Sequence, residues 1–290
     1  MPVRDVIANC SILFPDVPFS KRPVAARDAG FRAVEFWWPF DRAVPDDHAV
    51  ERFVSSIVDA GVILSCLNFA AGRLDRGERG LLSNPAHDTE FRDSVDVAIS
   101  IGDQLGKTGS TPVGFNALYG NRIDDLAPEL QDETATANLA FAAERASTIG
   151  ASVLIEPLSG VPGHPITTVA DAVAVIDRVS SGSIRVLADL YHLAVNGEDI
   201  ATTIDTFTDR IGHIQIADAP GRGEPGTGAV DLVGILRRLV VNGYDGLVAA
   251  EYVPSRSDTF DWLFGADSEY AALIAAFDTV EAVDHALDTR

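Results

Sequence analysis

Along this chain a short apolar run gives way to a loop, then to an amphipathic stretch that often closes on glycine, and the unit keeps returning. The runs fall at 6–12, 33–37, 62–69, 111–116, 152–157, 184–189, 211–218 and 246–252, eight in all. The stretch at 48–60 sets Val50, Phe53, Val54, Ile57 and Val58 at helical spacing, and Gly61 stops it. The stretch at 231–242 repeats the pattern with Leu232, Ile235, Leu236, Leu239 and Val240, between Asp231 as N-cap and Gly243. Thr168 and Asp171 stand as the two ends of a capping pattern before another helix. Strands alternating with helices imply a parallel sheet joined by right-handed crossovers. Eight units over 290 residues come to about 36 residues each, close to the module of a closed (β/α)8 barrel. The expected fold is therefore α/β, a single (β/α)8 TIM barrel, with residues 1–290 as one domain. An open doubly wound sheet would need fewer strands, and no linker composition splits the chain.

Polar groups recur at the downstream ends of these runs. "VLI" ends in Glu156, "RVLA" in Asp189 and "LVAA" in Glu251, while "HIQI" carries Gln215. The third and fourth runs end near Asn68 and Asn116, and the second carries Glu35. In a barrel the downstream ends of all the parallel strands meet at one face, where active sites are built. Three carboxylates brought together away from water repel one another and lose solvation. Either some take up protons, or a divalent cation sits among them. Two Glu, one Asp and one Gln offer hard oxygens and no thiolate, which favours Mg²⁺ or Mn²⁺, with Co²⁺ or Zn²⁺ also compatible with a mixed oxygen site. Any one such acid is more often an N-cap or loop residue; four on neighbouring strands are harder to dismiss.

Further candidates surround this set. His192, three residues after Asp189, is close enough to overhang the same mouth, with a capped loop histidine as the plain alternative. His213 shares the face of Gln215 one layer deeper, either orienting a metal ligand or filling the interior. Arg222, in the loop "APGRGEPGTG", offers the cation that an anionic substrate needs. Asn68 and Asn116 are candidates for substrate contact, with turn formation the plain alternative. Glu35 reads as a barrel-interior partner for an arginine such as Arg4. "GRGEPG" (221–226) matches G-x-G-x-x-G formally, but Pro225 intervenes before helical spacing resumes near Asp231, so the stretch reads as a flexible flap and not a dinucleotide loop. "FWWPF" (36–40) reads as a pocket wall or a subunit contact.

Charge and cysteine usage narrow the partners. The net charge of −21 argues against nucleic acid or an anionic membrane. Cys10 and Cys66 are too few and too far apart for a disulfide framework and read as buried free thiols in a reducing compartment. The start is a poor signal peptide, and no run of about 18 apolar residues appears. The expected setting is cytoplasmic.

Together these segments are recognisable. "LIEPLSG", "ADLYHL", "RIGHIQIADAPGRGEPGTG" and "NGYDGLVAAEY" resemble the hydroxypyruvate isomerase family, within the xylose isomerase-like TIM barrels. "NCSILFPDVPF", "AGFRAVEFWWPF", "LNFAAG", "GERG" and "GFNALYGNR" fit the same family in order, so the resemblance spans roughly residues 5–262. It implies that Glu156, Asp189, Gln215 and Glu251 hold a divalent metal, that Glu156 and Glu251 form the acid/base pair, and that His192 and Arg222 contact a small sugar acid or ketose. The implied reaction is hydroxypyruvate to tartronate semialdehyde through an enediolate. A ketose 3-epimerase, an inosose-type dehydratase and a non-catalytic sugar-acid binder are the alternatives. An apurinic endonuclease would need more histidines and a basic face. Relatives commonly form homo-oligomers. The chain departs from the family after "EP", where "LSGVPGHPITT" carries Ser159 and no arginine.

Overall fold

The computed structural model of the protein describes residues 6–107, 114–264 and 270. Its strands are β1 (Val6–Asn9), β2 (Ala33–Phe36), β3 (Ile63–Asn68), β4 (Gly114–Asn116), β5 (Ser152–Ile155), β6 (Ile184–Asp189), β7 (Ile211–Ile216) and β8 (Leu247–Ala250). They form a closed barrel in sequence order, every neighbouring pair parallel, with β8 returning to β1 through Val6↔Val248 and Ala8↔Ala250. The helices are α1 (Arg22–Asp28), α2 (Asp47–Ala60), α3 (Asp88–Gly106), α4 (Pro128–Ser147), α5 (Val169–Ile176), α6 (Leu190–Val195), α7 (Ile200–Phe207), α8 (Leu232–Val241) and α9 (Asp261–Phe264). The eight expected runs all hold a strand; residues 111–113 of the fourth lie outside the described residues.

Local chemistry sets the helix ends. Asp46 caps α2 by accepting from the Ala49 N–H, and Gly61 closes it at φ 69°. Thr168 and Asp171 form the reciprocal capping box of α5. Asp231 caps α8 by accepting from the Gly234 N–H.

The pleat decides what faces inward. The outward set, including Val34, Phe36, Phe115, Val153, Ile155, Val186, Ile214, Ile216 and Val248, joins the helices in one large apolar core. The inward set splits by depth. Ile7, Ala33 and Ala249 form one small cluster, and Cys66, Leu154 and Leu187 another. Two residues further along the same strands come Asn9, Glu35, Asn68, Glu156, Asp189 and Glu251, all buried. The interior is thus an apolar floor under a polar upper layer.

Two register shifts make this arrangement possible. Between β2 and β3, Val34 pairs with Leu64 but Glu35 with Cys66, so Ser65 is an extra residue. Between β6 and β7, Val186 pairs with Ile211 but Leu187 with His213, so Gly212 is extra. Each bulge re-aims the residues that follow it: without Gly212, His213 and Gln215 would lose their register with Leu187 and Asp189. A Cβ at Gly212 would come within 2.7 Å of the Arg185 Cβ, which a side-chain rotation cannot relieve. Gly212→Ala is expected to cost about 1–3 kcal/mol, the usual range for overpacking, read as a lower denaturant midpoint. An unchanged midpoint would show that the bulge has room to spare.

Candidate active site

Glu156, Asp189 and Glu251 come together at the downstream mouth, each at or below 5% exposure. Asp189 sits where β6 turns directly into α6. One of its oxygens caps that helix by accepting from the Tyr191 N–H at 2.9 Å. The other accepts from Arg222 Nη2 at 3.1 Å. The plain reading of a strand-end acid as an N-cap thus accounts for one oxygen, and the other turns to Arg222. Glu156 Oε2 accepts from Asn116 Nδ2 at 2.7 Å. Glu251 Oε1 accepts from the Trp37 indole N–H at 2.7 Å and lies 3.2 Å from the same Arg222 nitrogen.

The crowding shows in the titration of these groups. Burial, then the Asp189 charge, pushes the Glu156 carboxyl up to about 8. Burial likewise raises Glu251 well above the usual carboxylate range, against the opposing pull of Arg222. Burial lowers the His192 imidazole, with Asp189 pulling the other way.

His192 lies on the first turn of α6 and lines the mouth, where the plain alternative was a loop histidine. The Ser159 N–H donates to its Nδ1 at 3.1 Å, and the Ser159 hydroxyl lies 2.7 Å from the same atom. A ring nitrogen that accepts from a backbone N–H carries no proton, so the neutral ring is the Nε2–H tautomer. Nε2 stands 3.5 Å from Asp189 and 3.9 Å from Glu156.

Arg222 occupies the centre of the acids. Its Nε donates to the Glu251 carbonyl at 3.3 Å, and its guanidinium lies over the Tyr191 ring, 5.3 Å from the centroid. Burial works against its charge, but Glu251, Asp189 and Glu156 outweigh that and raise its pKa. Its backbone is left-handed, at φ 56°, a conformation that costs roughly 1–2 kcal/mol for a residue with a Cβ. The loop around it is built to hold that shape, contrary to the flexible flap expected from its glycines. Asp218 accepts from the N–H groups of Ala219, Gly226 and Val230. Glu224 is fully buried and accepts from Ser255, Arg256 and Thr259. Burial opposes ionisation of Glu224, yet the bonds from Ser255 and Thr259 prevail and bring it down to about 2.

In the same polar layer, Glu35 is a hub. The sequence paired it with an arginine such as Arg4, which lies outside the described residues. Instead it accepts from Asn9 Nδ2 at 2.8 Å and Gln215 Nε2 at 2.8 Å, with His213 Nε2 at 2.7 Å. Because Glu35 takes the amide nitrogen of Gln215, the amide oxygen is turned away from it. His213 reaches Gln215 through Glu35 and not directly. Glu35, His213 and Cys66 place ligand-type atoms within 4.8 Å of one another. The two polar members are already joined, however, and burial keeps the Cys66 thiol protonated.

A second group fits a cation better. Glu156, Asp189 and His192 offer ligand atoms all within 4.8 Å. Gln215 Oε1, Glu251 Oε2 and Asn116 Oδ1 are buried without a hydrogen-bond partner among the described residues. Buried orphan oxygens beside raised carboxylates are what a hard divalent ion satisfies. The residues present fit such an ion.

The mouth opens into a cavity of about 1120 Å³, lined by Glu156, Glu251, His192, Arg222 and Asn68 among others. Trp37, Trp38 and Phe40 of "FWWPF" line it too, while Phe36 packs in the apolar core. The contacts of Trp37 and Ser159 escaped the sequence reading. Trp37 directly follows the downstream end of β2, the same signal that flagged the acids. Among the described residues no helix is long and apolar enough to cross a membrane. Cys10 and Cys66 are buried and free, as expected.

A pH dependence follows from Glu156. In the metal-free fold it keeps its proton up to about 8, while in the unfolded chain it loses it near the ordinary value of about 4.3. The stability this contributes is complete below about 4.3 and is lost as pH rises to 8 and above; Glu251 acts in the same direction. The metal-free denaturation midpoint is expected to fall across that window. Saturating Mg²⁺ or Mn²⁺ should flatten or reverse the trend, because the ion takes the deprotonated form. A metal-free midpoint that rises with pH would contradict the buried-carboxylate account.

Comparison with known proteins agrees with this architecture. Residues 23–276 match the family model described as xylose isomerase-like TIM barrel. The chain is 45% identical over 266 residues to a putative hydroxypyruvate isomerase of Streptomyces coelicolor, covering 88% of this chain and 94% of that one. It is 32% identical over 255 residues to the hydroxypyruvate isomerase of Escherichia coli, covering 85% and 92%. Among solved structures, one described as AP endonuclease, family 2, from Brucella melitensis superposes with a TM-score of 0.81 at 30% identity, covering 92% of this chain and 99% of that one. The chain belongs to the xylose isomerase-like TIM barrel family.

Proposed function

We propose that the protein is a divalent-metal-dependent isomerase of small hydroxy-oxo acids, converting hydroxypyruvate to tartronate semialdehyde or acting on a related 2-oxo sugar acid. The observation that carries this is the convergence of Glu156, Asp189 and Glu251 around unpartnered buried oxygens at one cavity mouth. The activities named for its relatives support the same class.

Glu156, Asp189, Gln215 and Glu251 would hold the ion, Gln215 through the amide oxygen that Glu35 leaves free. Their hard oxygens suit Mg²⁺ or Mn²⁺. A bound ion supplies Lewis-acid polarisation of the substrate carbonyl and the adjacent hydroxyl.

The chain's own side chains move the protons. One glutamate takes a proton from the hydroxymethyl carbon beside the carbonyl, leaving an enediolate. The same or the opposite glutamate returns a proton to the former carbonyl carbon. Glu251 has an oxygen available for this, since Trp37 and Arg222 engage only Oε1. The Nε2–H of His192 faces Asp189 and Glu156 and can pass the oxygen-bound proton. Arg222 and Asn68 line the cavity beside these acids, and Asn116 acts through its bond to Glu156. The two buried free thiols suit a cytoplasmic setting.

A ketose 3-epimerase is the second reading, because a cavity of about 1120 Å³ also admits a hexulose. Incubation with short oxo acids and with ketoses in heavy water separates the two: isomerisation gives a new carbonyl position, epimerisation an inverted centre. Stripping the metal with chelator should abolish turnover, and Mn²⁺ or Mg²⁺ should restore it. Glu251→Gln is expected to lower kcat by about 10²–10⁴ while keeping the melting temperature close to that of the parent. Turnover indifferent to chelator, or hydrogen exchange on none of the substrates, would end the proposal.

A further inference from the structure

An acid substrate needs a cation for its carboxylate, and Arg222 is poorly placed to be that cation. Its Nη2 already serves Asp189 and Glu251, its Nε serves the Glu251 carbonyl, and its plane rests over Tyr191. It sits among the groups that face the reacting carbons. The other guanidinium groups around the same cavity belong to Arg42, Arg73, Arg76 and Arg79. Arg73 turns Nε and Nη2 onto Asp75, at 3.0 and 2.9 Å, so its fork is taken. Arg42 and Arg76 are exposed, and ordering a free arginine on a ligand costs side-chain entropy.

Arg79 differs from all three. It is half-buried on the loop between β3 and α3. Its Nη1 donates to the carbonyls of Leu74 and Glu78, at 3.0 and 2.8 Å. Its backbone N–H donates to Asn121 Oδ1 at 3.0 Å, and Asn121 Nδ2 donates to the carbonyls of Gly77 and Pro162, tying the loop to the segment after β5. Gly80, the next residue, has φ +117°, and a Cβ there would fall 2.1 Å from the Leu118 carbonyl oxygen. The loop is therefore clamped on both sides of Arg79. Three carboxylates around this part of the cavity have partners of their own: Asp75 in Arg73, Glu78 in the Arg73 N–H, and Glu90 in His87. Among the described residues, no acceptor meets the Nε and Nη2 donors of Arg79. Those two form the side-on edge of the guanidinium, which matches both oxygens of a carboxylate through parallel bonds.

We infer that Arg79 is a specificity-determining residue, which receives the carboxylate of the acid substrate at the cavity wall while the acids at the mouth handle its reacting carbons. This rests on the isomerase reading and supplies the anion site that reading requires.

The test is binding, measured apart from turnover. Threonate, a four-carbon sugar acid, and threitol, its neutral polyol, are titrated calorimetrically into the protein in Mg²⁺ buffer. Wild type is expected to prefer threonate. Arg79→Ala should weaken threonate about tenfold or more, the loss of a charge-assisted fork, and leave threitol unchanged. Arg79→Lys should recover only part, since an ammonium keeps the charge without the fork. If Arg79→Ala loses its fold, the lysine variant carries the test, and affinity equal to wild type overturns the assignment. Threonate binding unaffected by Arg79→Ala, or no preference for threonate over threitol in wild type, overturns it as well. Arg79-dependent binding without any hydrogen exchange would sink the isomerase reading and leave the anion site standing; exchange with Arg79-independent binding would do the reverse.

Discussion

Three carboxylates that are nearly shut off from water at one barrel mouth are the constraint around which the rest of this molecule is arranged. Coulomb repulsion between such groups grows as the surroundings lose polarity, and desolvation adds to it. The protein answers in three ways. Asn116, Trp37 and the Tyr191 amide each donate to one carboxylate. Arg222 sets one positive charge against Asp189 and Glu251 together. Protons remain on Glu156 and Glu251 well above the ordinary carboxylate range. A divalent ion would replace the last of these and satisfy the oxygens that otherwise stand alone.

That solution depends on structure some distance from the mouth. Arg222 reaches the acids only because its backbone is held left-handed, and the braces are the buried carboxylates of Asp218 and Glu224. Gln215 presents its amide oxygen because Glu35 has taken the nitrogen, and Glu35 is fixed in turn by Asn9 and His213. The polar layer thus has two parts. Around Glu35 the carboxylate is satisfied by hydrogen bonds within the protein, while Gln215, Glu251 and Asn116 each keep an oxygen short of partners among the described residues. Those acceptors are available to a ligand.

Much of this was legible in the order of residues. Strand positions, the capping box at Thr168 and Asp171 and the glycine stop at Gly61 are local effects, decided within a few residues by pleat, hydrogen bonding and φ. The strand-end acids were legible for the same reason, since closing a parallel barrel sends every downstream end to one face. Glu35 was read less well. Its alternation marked it as inward-facing, but an inward acid has many conceivable partners, and His213 lies 178 residues away. The loop after β7 was misjudged because glycine and proline content signals freedom, while one of the two carboxylates that brace it, Glu224, acts through contacts with residues 255–259.

The chain's own pattern therefore settled the architecture and the inventory of the mouth: eight strands, their helices, and the acids and amides at their tips. It could do so because propensity, capping and periodicity act over short stretches. Partnership was left to the closed barrel. The bulges at Ser65 and Gly212 choose which side chains share a layer, and the Trp37 N–H meets Glu251 across 214 residues of chain. Such pairs are fixed by register and closure, which are properties of the whole sheet and belong to no single segment.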